Sequence, residues 1–142
     1  MLDIASGFGL AAVSAAMAGA RAVTANDVDP HAIAAIAANA LANGVAVLAL
    51  HGDVLDGDGD GADVILAGDV LYDASMAARV VPFLTRAVDR GARVLLGDPG
   101  RRHLPVGGLR RVASYQVPDL GVPEDAQIQS TDVFAVDGSG RQ

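Results

Sequence analysis

The first nine residues constrain the fold of this chain more than any other stretch. A short apolar start ends in a turn with two glycines, Gly7-Phe-Gly9, and an alanine-rich segment follows at once. Glycines let a strand turn sharply into a helix, and they leave the first backbone N–H groups of that helix unobstructed. Asp27 lies roughly 20 positions beyond the turn, where an acidic side chain is placed to hydrogen-bond a ribose diol. The stretch therefore predicts a nucleotide-type site after a first strand.

Segments with strand and helix patterns alternate along the chain without a linker or a repeat. This alternation is typical of a mostly parallel sheet with helices on both faces. We predict one α/β domain over residues 1–142, with a Rossmann-like, doubly wound sheet and antiparallel last strands. The second helix is expected to begin at Asp29-Pro30 and end at Asn43-Gly44, and Pro82 is expected to kink or restart the third. The predicted first helix covers 10–18, and the predicted strands cover 1–4, 22–25, 45–50, 62–67, 92–97, 114–117 and 132–136. The third helix is predicted to have Met76, Val80, Phe83, Leu84 and Ala87 on one face.

Aspartates recur where the predicted strands end. Ligands of open α/β sheets bind beyond the carboxyl ends of the strands, so these side chains are expected on one edge. For any single aspartate a helix cap or a turn is an equally good explanation, and capping is the better one for Asp29. Five on one edge favour a binding site. They are Asp3, Asp27, Asp53, Asp69 and Asp98.

Composition excludes several classes of function. The chain has no cysteine and three scattered histidines, so we predict neither disulfides nor a metal site. A net charge of −7 repels phosphate backbones, which argues against nucleic acid as a partner. Arg101 and Arg102, after the fifth strand, are interpreted as solvent-exposed, with contact to an acidic substrate surface as the alternative. Without an apolar run of membrane length or a basic leader, the expected location is cytoplasmic and no membrane partner is predicted.

Two motifs resemble those of a known family. Asp3-Ile-Ala5-Ser-Gly7-Phe-Gly9 resembles motif I of the class I S-adenosylmethionine-dependent methyltransferases, (Asp/Glu)-x-Gly-x-Gly-x-Gly, with alanine in place of the first glycine. We expect this substitution to narrow the turn only slightly. Asp69-Val-Leu-Tyr72 is similar to the (Asp/Glu)-x-x-(Tyr/Phe) signature of the seven-strand protein-lysine methyltransferases. With the Gly-Asp pairs at 52–53, 68–69 and 97–98, the whole chain resembles the bacterial branch related to the electron-transfer-flavoprotein β-subunit lysine methyltransferases.

The resemblance implies S-adenosylmethionine as the cofactor and assigns roles along the edge. Asp3 and the turn from Ala5 to Gly9 would hold the methionine part, Asp27 the ribose hydroxyls, and Asp53 with Val54 the adenine. Asp69 and Tyr72 would face the acceptor amine as catalytic residues, although a half-buried ring without a chemical role is the alternative for Tyr72. The implied cofactor-binding residues are Asp3, Ala5, Ser6, Gly7, Gly9, Asp27, Asp53 and Val54.

The implied function is methyl transfer to an amine, with a protein lysine side chain as the leading acceptor. A small-molecule amine is the nearest alternative, and a non-catalytic, truncated cofactor-binding module is another. An NAD-dependent oxidoreductase fits least, because Asp3 and the Asp-x-x-Tyr motif have no role there. The first strand has only residues 1–4, whereas a strand usually has about 5–6. We therefore expect an N-terminally incomplete domain of marginal stability, which lacks the upstream segment that closes over the cofactor in the family.

Overall fold

Strands and helices alternate along the chain as the sequence pattern predicts. The computed structural model describes residues 1–105, 107–117 and 129–138. Its elements are β1 (Leu2–Ile4), α1 (Leu10–Met17), β2 (Thr24–Asp27), α2 (Pro30–Ala42), β3 (Leu48–His51), β4 (Val64–Gly68), α3 (Ala74–Asp89), β5 (Arg93–Asp98), β6 (Leu109–Val117) and β7 (Gln129–Val136). Over the described ranges, the strands form one sheet in the order β3-β2-β1-β4-β5-β7-β6.

The strand directions confirm the predicted fold class. The strands β3, β2, β1, β4 and β5 pair in parallel. β7 inserts antiparallel between β5 and β6, as expected for the last strands. Both last strands begin earlier than predicted, at Leu109 and Gln129. The polar connection predicted between them falls largely on residues 118–128, outside the described part of the chain.

Different helices cover the two faces of the sheet. Leu2 and Ile4 of β1 belong to a buried cluster that includes the apolar side of α3. Asp3 lies between them and points to the opposite face, because successive side chains of a strand alternate. On that second face, α1 and α2 pack over β2, with Ala12, Ala25 and Ile36 in a smaller buried cluster.

Capping residues set the starts of two helices. Asp29 caps α2 by accepting a hydrogen bond from the backbone N–H of His31 at 2.8 Å, as predicted, and Pro30 occupies the first turn. Asp73 caps α3 by accepting from the N–H of Met76, also at 2.8 Å. These caps matter for the site because both helices begin at the carboxyl edge of the sheet.

Of the kink or restart predicted at Pro82, the restart is wrong, since α3 runs without interruption from Ala74 to Asp89, and the kink stays a prediction. Proline removes one backbone hydrogen bond and crowds the preceding turn. Buried side chains hold the helix against the sheet on both sides of the proline, and this packing outweighs the local cost. They are Val80, Phe83, Leu84 and Ala87.

The second and third strands begin later than predicted. β2 starts at Thr24 and β3 at Leu48, and these two residues are directly paired. The expected starts at positions 22 and 45 rested on apolar character alone, whereas a strand also needs a neighbour with which to form hydrogen bonds. β2 also extends beyond its predicted end at position 25, through Asn26 and Asp27, which brings one polar residue of the predicted site, Asp27, into the sheet.

Gly9 allows α1 and α2 to approach closely. A Cβ added at Gly9 would lie 3.0 Å from Cγ1 of Ile36, and its φ of 79° is in the left-handed region. Both features favour glycine, so the second glycine of the turn serves helix packing.

No helix in the described ranges is long and apolar enough to cross a bilayer.

Candidate functional site

Five aspartates lie along one edge of the sheet, as the strand pattern predicts. Asp3 is in β1, Asp27 and Asp98 are the last residues of β2 and β5, Asp69 directly follows β4, and Asp53 follows β3 by two residues. Since these strands are parallel, their carboxyl ends meet at the same edge. We call this edge the aspartate rim.

Asp3 lies next to the glycine turn and is buried, with 2% of its surface exposed. Its Oδ2 accepts a hydrogen bond from Ser6 Oγ at 2.5 Å and from the backbone N–H of Ala12, in the first turn of α1, at 3.2 Å. Burial raises the pKa of this carboxyl above its ordinary value, against the opposing effect of these hydrogen bonds. Asp3 thus faces protein groups and shapes the turn, and a direct contact with a cofactor stays a prediction.

Ala5 occupies a strained position in the turn. Its φ is 46°, in the left-handed region that non-glycine residues seldom adopt. The methyltransferase motif has its first glycine here, and the structure gives the physical reason for that preference. Alanine keeps the turn but carries a conformational cost, so the sequence-based expectation of a slightly narrowed turn understates the change.

Asp27 closes the turn from the neighbouring strand. Its Oδ2 accepts the backbone N–H of Gly7 at 2.9 Å, and its Oδ1 accepts the N–H of Asp29 at 3.0 Å. A carboxylate has about four lone-pair positions, so two remain for hydroxyl donors of a ligand. Asp27 therefore links the glycine turn to the start of α2 and keeps acceptor capacity.

Asn26 is a buried residue whose role sequence reasoning missed. It is 3% exposed, and its Nδ2 donates to the carbonyl oxygens of Leu50 at 2.9 Å and Gly52 at 2.8 Å. These bonds hold the chain after β3 against β2, and Asp53 follows directly. An amide directly after the predicted second strand was the available signal, because a buried amide needs partners.

An open cavity of about 390 Å³ lies on the rim at the ends of β1, β2 and β3. It brings together five of the predicted site residues: Ala5, Asp27, Asp53 and Val54 from the cofactor side, and Tyr72 from beyond β4. We call it the rim cavity. Its remaining lining residues are Ile4, Asn26, Val28, Leu55, Met76 and Arg79.

The rim cavity does not collect all the predicted residues. Asp3, Ser6, Gly7, Gly9 and Asp69 are absent from its lining. The first four belong to β1 and the turn that follows it, and Asp69 lies on the same loop as Tyr72. The size of the cavity is within the usual range for small-molecule sites, and carboxylates beside apolar side chains suit a ligand that has both hydroxyls and an aromatic ring.

Arg79 of α3 is the second residue that sequence reasoning missed. Its Nη1 contacts Asp53 Oδ2 at 2.6 Å and its Nη2 contacts Asp56 Oδ1 at 3.2 Å. The hydrogen bond from Arg79, helped by the backbone N–H of Leu55, lowers the pKa of the Asp53 carboxyl. Asp53 is thereby held as an anion at the cavity wall. A lone arginine one helical turn after Met76 was the only sequence signal.

The Asp69-Val-Leu-Tyr72 segment is oriented by its two middle residues. Val70 and Leu71 are buried in the larger core cluster, and this anchors the loop between β4 and α3. Asp69 and Tyr72 flank the anchor and face solvent, with 56% of Tyr72 exposed. The role of Tyr72 as a catalytic residue, rather than as a partly exposed ring without a chemical role, stays a prediction.

Asp69 is engaged by Arg101 in a two-pronged ion pair. Nε of Arg101 donates to Oδ1 and Nη2 donates to Oδ2, each at 2.7 Å. The Asp69 side chain is 50% exposed and the Arg101 side chain 43%. Arg101 is exposed as predicted, but it has a partner that its sequence position did not indicate. The predicted amine-facing carboxylate is therefore already paired with a cation of the same chain.

Two of the solved structures with the same fold are methyltransferases. The ribosomal protein L11 methylase of Lactobacillus delbrueckii subsp. bulgaricus matches with a TM-score of 0.66 and 20% identity, over 96% of this chain and 68% of that one. The Pyrococcus abyssi tRNA (uracil-54, C5)-methyltransferase in complex with S-adenosyl-L-homocysteine matches with a TM-score of 0.69 and 16% identity, over 95% of this chain and 33% of that one. The fold is thus that of the Rossmann-like methyltransferases.

Sequence comparison narrows this class. The family model described as ribosomal protein L11 methyltransferase (PrmA) matches residues 1–97. The electron transfer flavoprotein beta subunit lysine methyltransferase of Danio rerio is 36% identical over 140 residues, 94% of this chain and 54% of that protein. Its Homo sapiens counterpart is 31% identical over 140 residues, 94% of this chain and 53% of that protein. The chain therefore belongs to the ribosomal protein L11 methyltransferase (PrmA) family of class I S-adenosylmethionine-dependent methyltransferases, and it spans about half the length of the curated relatives it matches.

The strain at Ala5 predicts that Ala5→Gly stabilises the fold. Glycine removes a left-handed penalty of roughly 1–2 kcal/mol but costs about 0.4–1 kcal/mol through the greater entropy of the unfolded chain, so we expect a net gain of up to about 1.5 kcal/mol. Urea unfolding measures it. The matched control is Ala38→Gly on the exposed side of α2, which should lower stability by about 1 kcal/mol. Equal losses for both variants would contradict the assigned strain.

The opposite pKa shifts of Asp3 and Asp53 predict opposite pH dependences. Because the pKa of folded Asp3 is raised, its contribution to stability is present below its unfolded value of 3.8 and is lost as the pH rises through the folded pKa. The pKa of Asp53 is lowered, so its contribution is present above 3.8 and is lost as the pH falls through the folded pKa.

Urea unfolding of wild type, Asp3→Asn and Asp53→Asn from about pH 3 to 7 tests these signs. With rising pH, Asp3→Asn should gain stability relative to wild type and Asp53→Asn should lose it. The second change should be the smaller, since Asp53 and Arg79 are exposed to solvent. Parallel curves for the two variants would show that the assigned environments are wrong.

Proposed function

We propose that this chain transfers a methyl group from S-adenosylmethionine to the side-chain amine of a protein lysine. The observation that carries the proposal is the rim cavity, where Asp27, Asp53 and Tyr72 from three different strand ends line one space. Family membership and the named activity of the relatives support it.

The residues of the rim cavity fit the cofactor in chemical kind. Asp27 offers free acceptor positions for the ribose hydroxyls, and Asp53 is held as an anion by Arg79 at the wall where the adenine would lie. Apolar side chains next to them suit the adenine faces; these are Ile4, Val28, Val54, Leu55 and Met76. The assignment of the methionine part of the cofactor to the Ala5–Gly9 turn rests on the resemblance of this turn to the family motif.

Methyl transfer leaves the protein mainly with binding and positioning. S-adenosylmethionine supplies the methyl group on a sulfonium sulfur, and its S–C bond breaks as the amine nitrogen forms the new N–C bond. The attacking nitrogen needs a free lone pair, so the acceptor must be the neutral amine. Tyr72 and Asp69 flank a buried anchor and face solvent, and we assign to both the acceptance of hydrogen bonds from the amine N–H groups.

The first prediction of this proposal concerns cofactor binding. S-adenosylhomocysteine at about 100 Kd should stabilise the chain by about 2.7 kcal/mol, a rise in Tm of roughly 5–10 °C, and NAD should not. Asp27→Asn should lose most of this rise because it weakens the ribose acceptor. Asp29→Asn is the matched control, since it keeps a helix cap and lies outside the cavity lining. A rise with NAD alone would refute the cofactor assignment.

The second prediction concerns the acceptor. With recombinant electron transfer flavoprotein β subunit and labelled S-adenosylmethionine, lysine should gain methyl groups detectable by mass spectrometry. Tyr72→Phe should lower kcat by about tenfold or more, a loss typical of a positioned polar group, and leave cofactor Kd nearly unchanged. Tyr115→Phe, exposed on β6, is the control and should leave both unchanged. Methylation of free amines but of no protein would move the acceptor to the small-molecule alternative.

A further inference from the structure

The ion pair between Asp69 and Arg101 joins two loops across the rim. Asp69 follows β4, and Arg101 follows β5, three positions beyond the end of that strand. Both oxygens of the carboxylate are used, with a 2.7 Å hydrogen bond to each. A fork of this kind fixes the plane of the carboxylate, which a single contact does not.

Each partner of the pair is itself held by the backbone. The backbone N–H of Asp69 donates to the carbonyl of Gly97 at 2.8 Å, and its φ of 51° turns the chain out of β4. The N–H of Arg101 donates to Oδ1 of Asp98 at 2.6 Å, and the N–H of Gly100 donates to the same atom at 2.7 Å. Asp98 is 1% exposed, so it forms a rigid base for the loop that presents Arg101.

The pair changes the charge of the acceptor side without removing its hydrogen-bond acceptors. Arg101 uses two of the roughly four lone-pair positions of the carboxylate, which leaves two for N–H donors. A carboxylate without a partner cation would favour the ammonium form of a nearby lysine, because an opposite charge at about 4–6 Å stabilises the charged state. The ammonium form has no lone pair and cannot accept a methyl group.

We infer that Arg101 is a positioning residue that neutralises and orients Asp69, so that the acceptor side takes up a lysine as its neutral amine. This inference rests on the proposed function. It assigns a task to Arg101 that is separate from substrate contact, since Arg101 acts through Asp69.

Other ionisable groups surround the pair of Asp69 and Arg101. Besides the hydrogen bond to Asp69, the negative charge of Asp98, at the end of β5, helps to raise the pKa of Arg101, and Tyr72 and Asp73 follow Asp69 on its own loop. Besides hydrogen bonds to the carboxylate, the charge of His103, on the loop after β5, contributes to lowering the pKa of Asp73. On the neighbouring β6 and β7, Arg111 pairs with Asp132 at 3.4 Å. Histidine is the side chain that changes charge near neutral pH, so His103 needs its own control.

The test is the dependence of kcat on pH for Arg101→Gln, measured with the lysine-bearing protein substrate. The pKa that governs kcat belongs to the enzyme–substrate complex. Loss of the guanidinium should move this profile about one pH unit to the alkaline side. At pH values well below the midpoint, kcat of the variant should then be about tenfold lower than that of the wild type. KM should fall, because an unpaired Asp69 binds the ammonium form more tightly. A purely structural defect would lower kcat at every pH and would not lower KM.

Arg101→Lys separates charge from orientation. Its ammonium keeps the positive charge but cannot form the fork, so the profile should stay at the wild-type pH while kcat falls. Arg102→Gln and His103→Gln, neighbours on the same loop, should leave the position of the profile unchanged. A fluorescence or circular-dichroism melt of each variant checks that it is folded at the assay temperature.

The possible outcomes separate the role of Arg101 from the proposed function. An active wild type whose profile coincides with that of Arg101→Gln would overturn the role of Arg101 and leave the proposed function standing. A shift of Arg101→Lys as large as that of Arg101→Gln would overturn that role too. A wild type that binds S-adenosylhomocysteine but methylates no lysine would overturn the proposed function, and the role of Arg101 with it.

Discussion

The hydrogen bonds of the Asp3 carboxylate are the interaction on which the site depends. One buried oxygen accepts from Ser6 in the turn and from Ala12 in the first turn of α1, so it ties the strand, the turn and the helix together. A negative charge at a helix N-terminus is favourable, and this offsets part of the cost of burying it. The N-terminal N–H groups that the sequence assigned to a ligand are therefore used partly by the protein itself.

The rim handles its five carboxylates in two ways. Asp3, Asp27 and Asp98 accept hydrogen bonds from backbone N–H groups and serve the shapes of loops. Asp53 and Asp69 are exposed and paired with arginines from other elements. The rim consequently carries hydrogen-bond acceptors without the strong negative field that five free carboxylates would create. This balance suits the proposed binding of hydroxyl and amine donors.

Much of the fold followed from patterns within short segments. The helix from Pro30 to Ala42 has an Asx cap, an N1 proline and a helical apolar period, so each local signal agrees and its prediction holds. The restart predicted at Pro82 does not occur, because the signal of the proline is local, whereas the buried residues around it act through tertiary packing. The start of β3 was misplaced for a similar reason: apolar character marks a candidate strand, but only a paired neighbour makes it one.

The sequence by itself determined the class of fold, the rim and the motif at each strand end, because turns, caps and alternation depend on neighbours along the chain. The tertiary structure alone decided which charges meet. Asp69 and Arg101 are 32 residues apart, and Asp53 and Arg79 are 26 apart. Such pairs form only when strand order brings β4 beside β5, or when α3 folds back across the sheet toward the loop after β3. Asn26 and Arg79 were missed for this reason, since their partners lie on other elements and leave no spacing signal in the sequence.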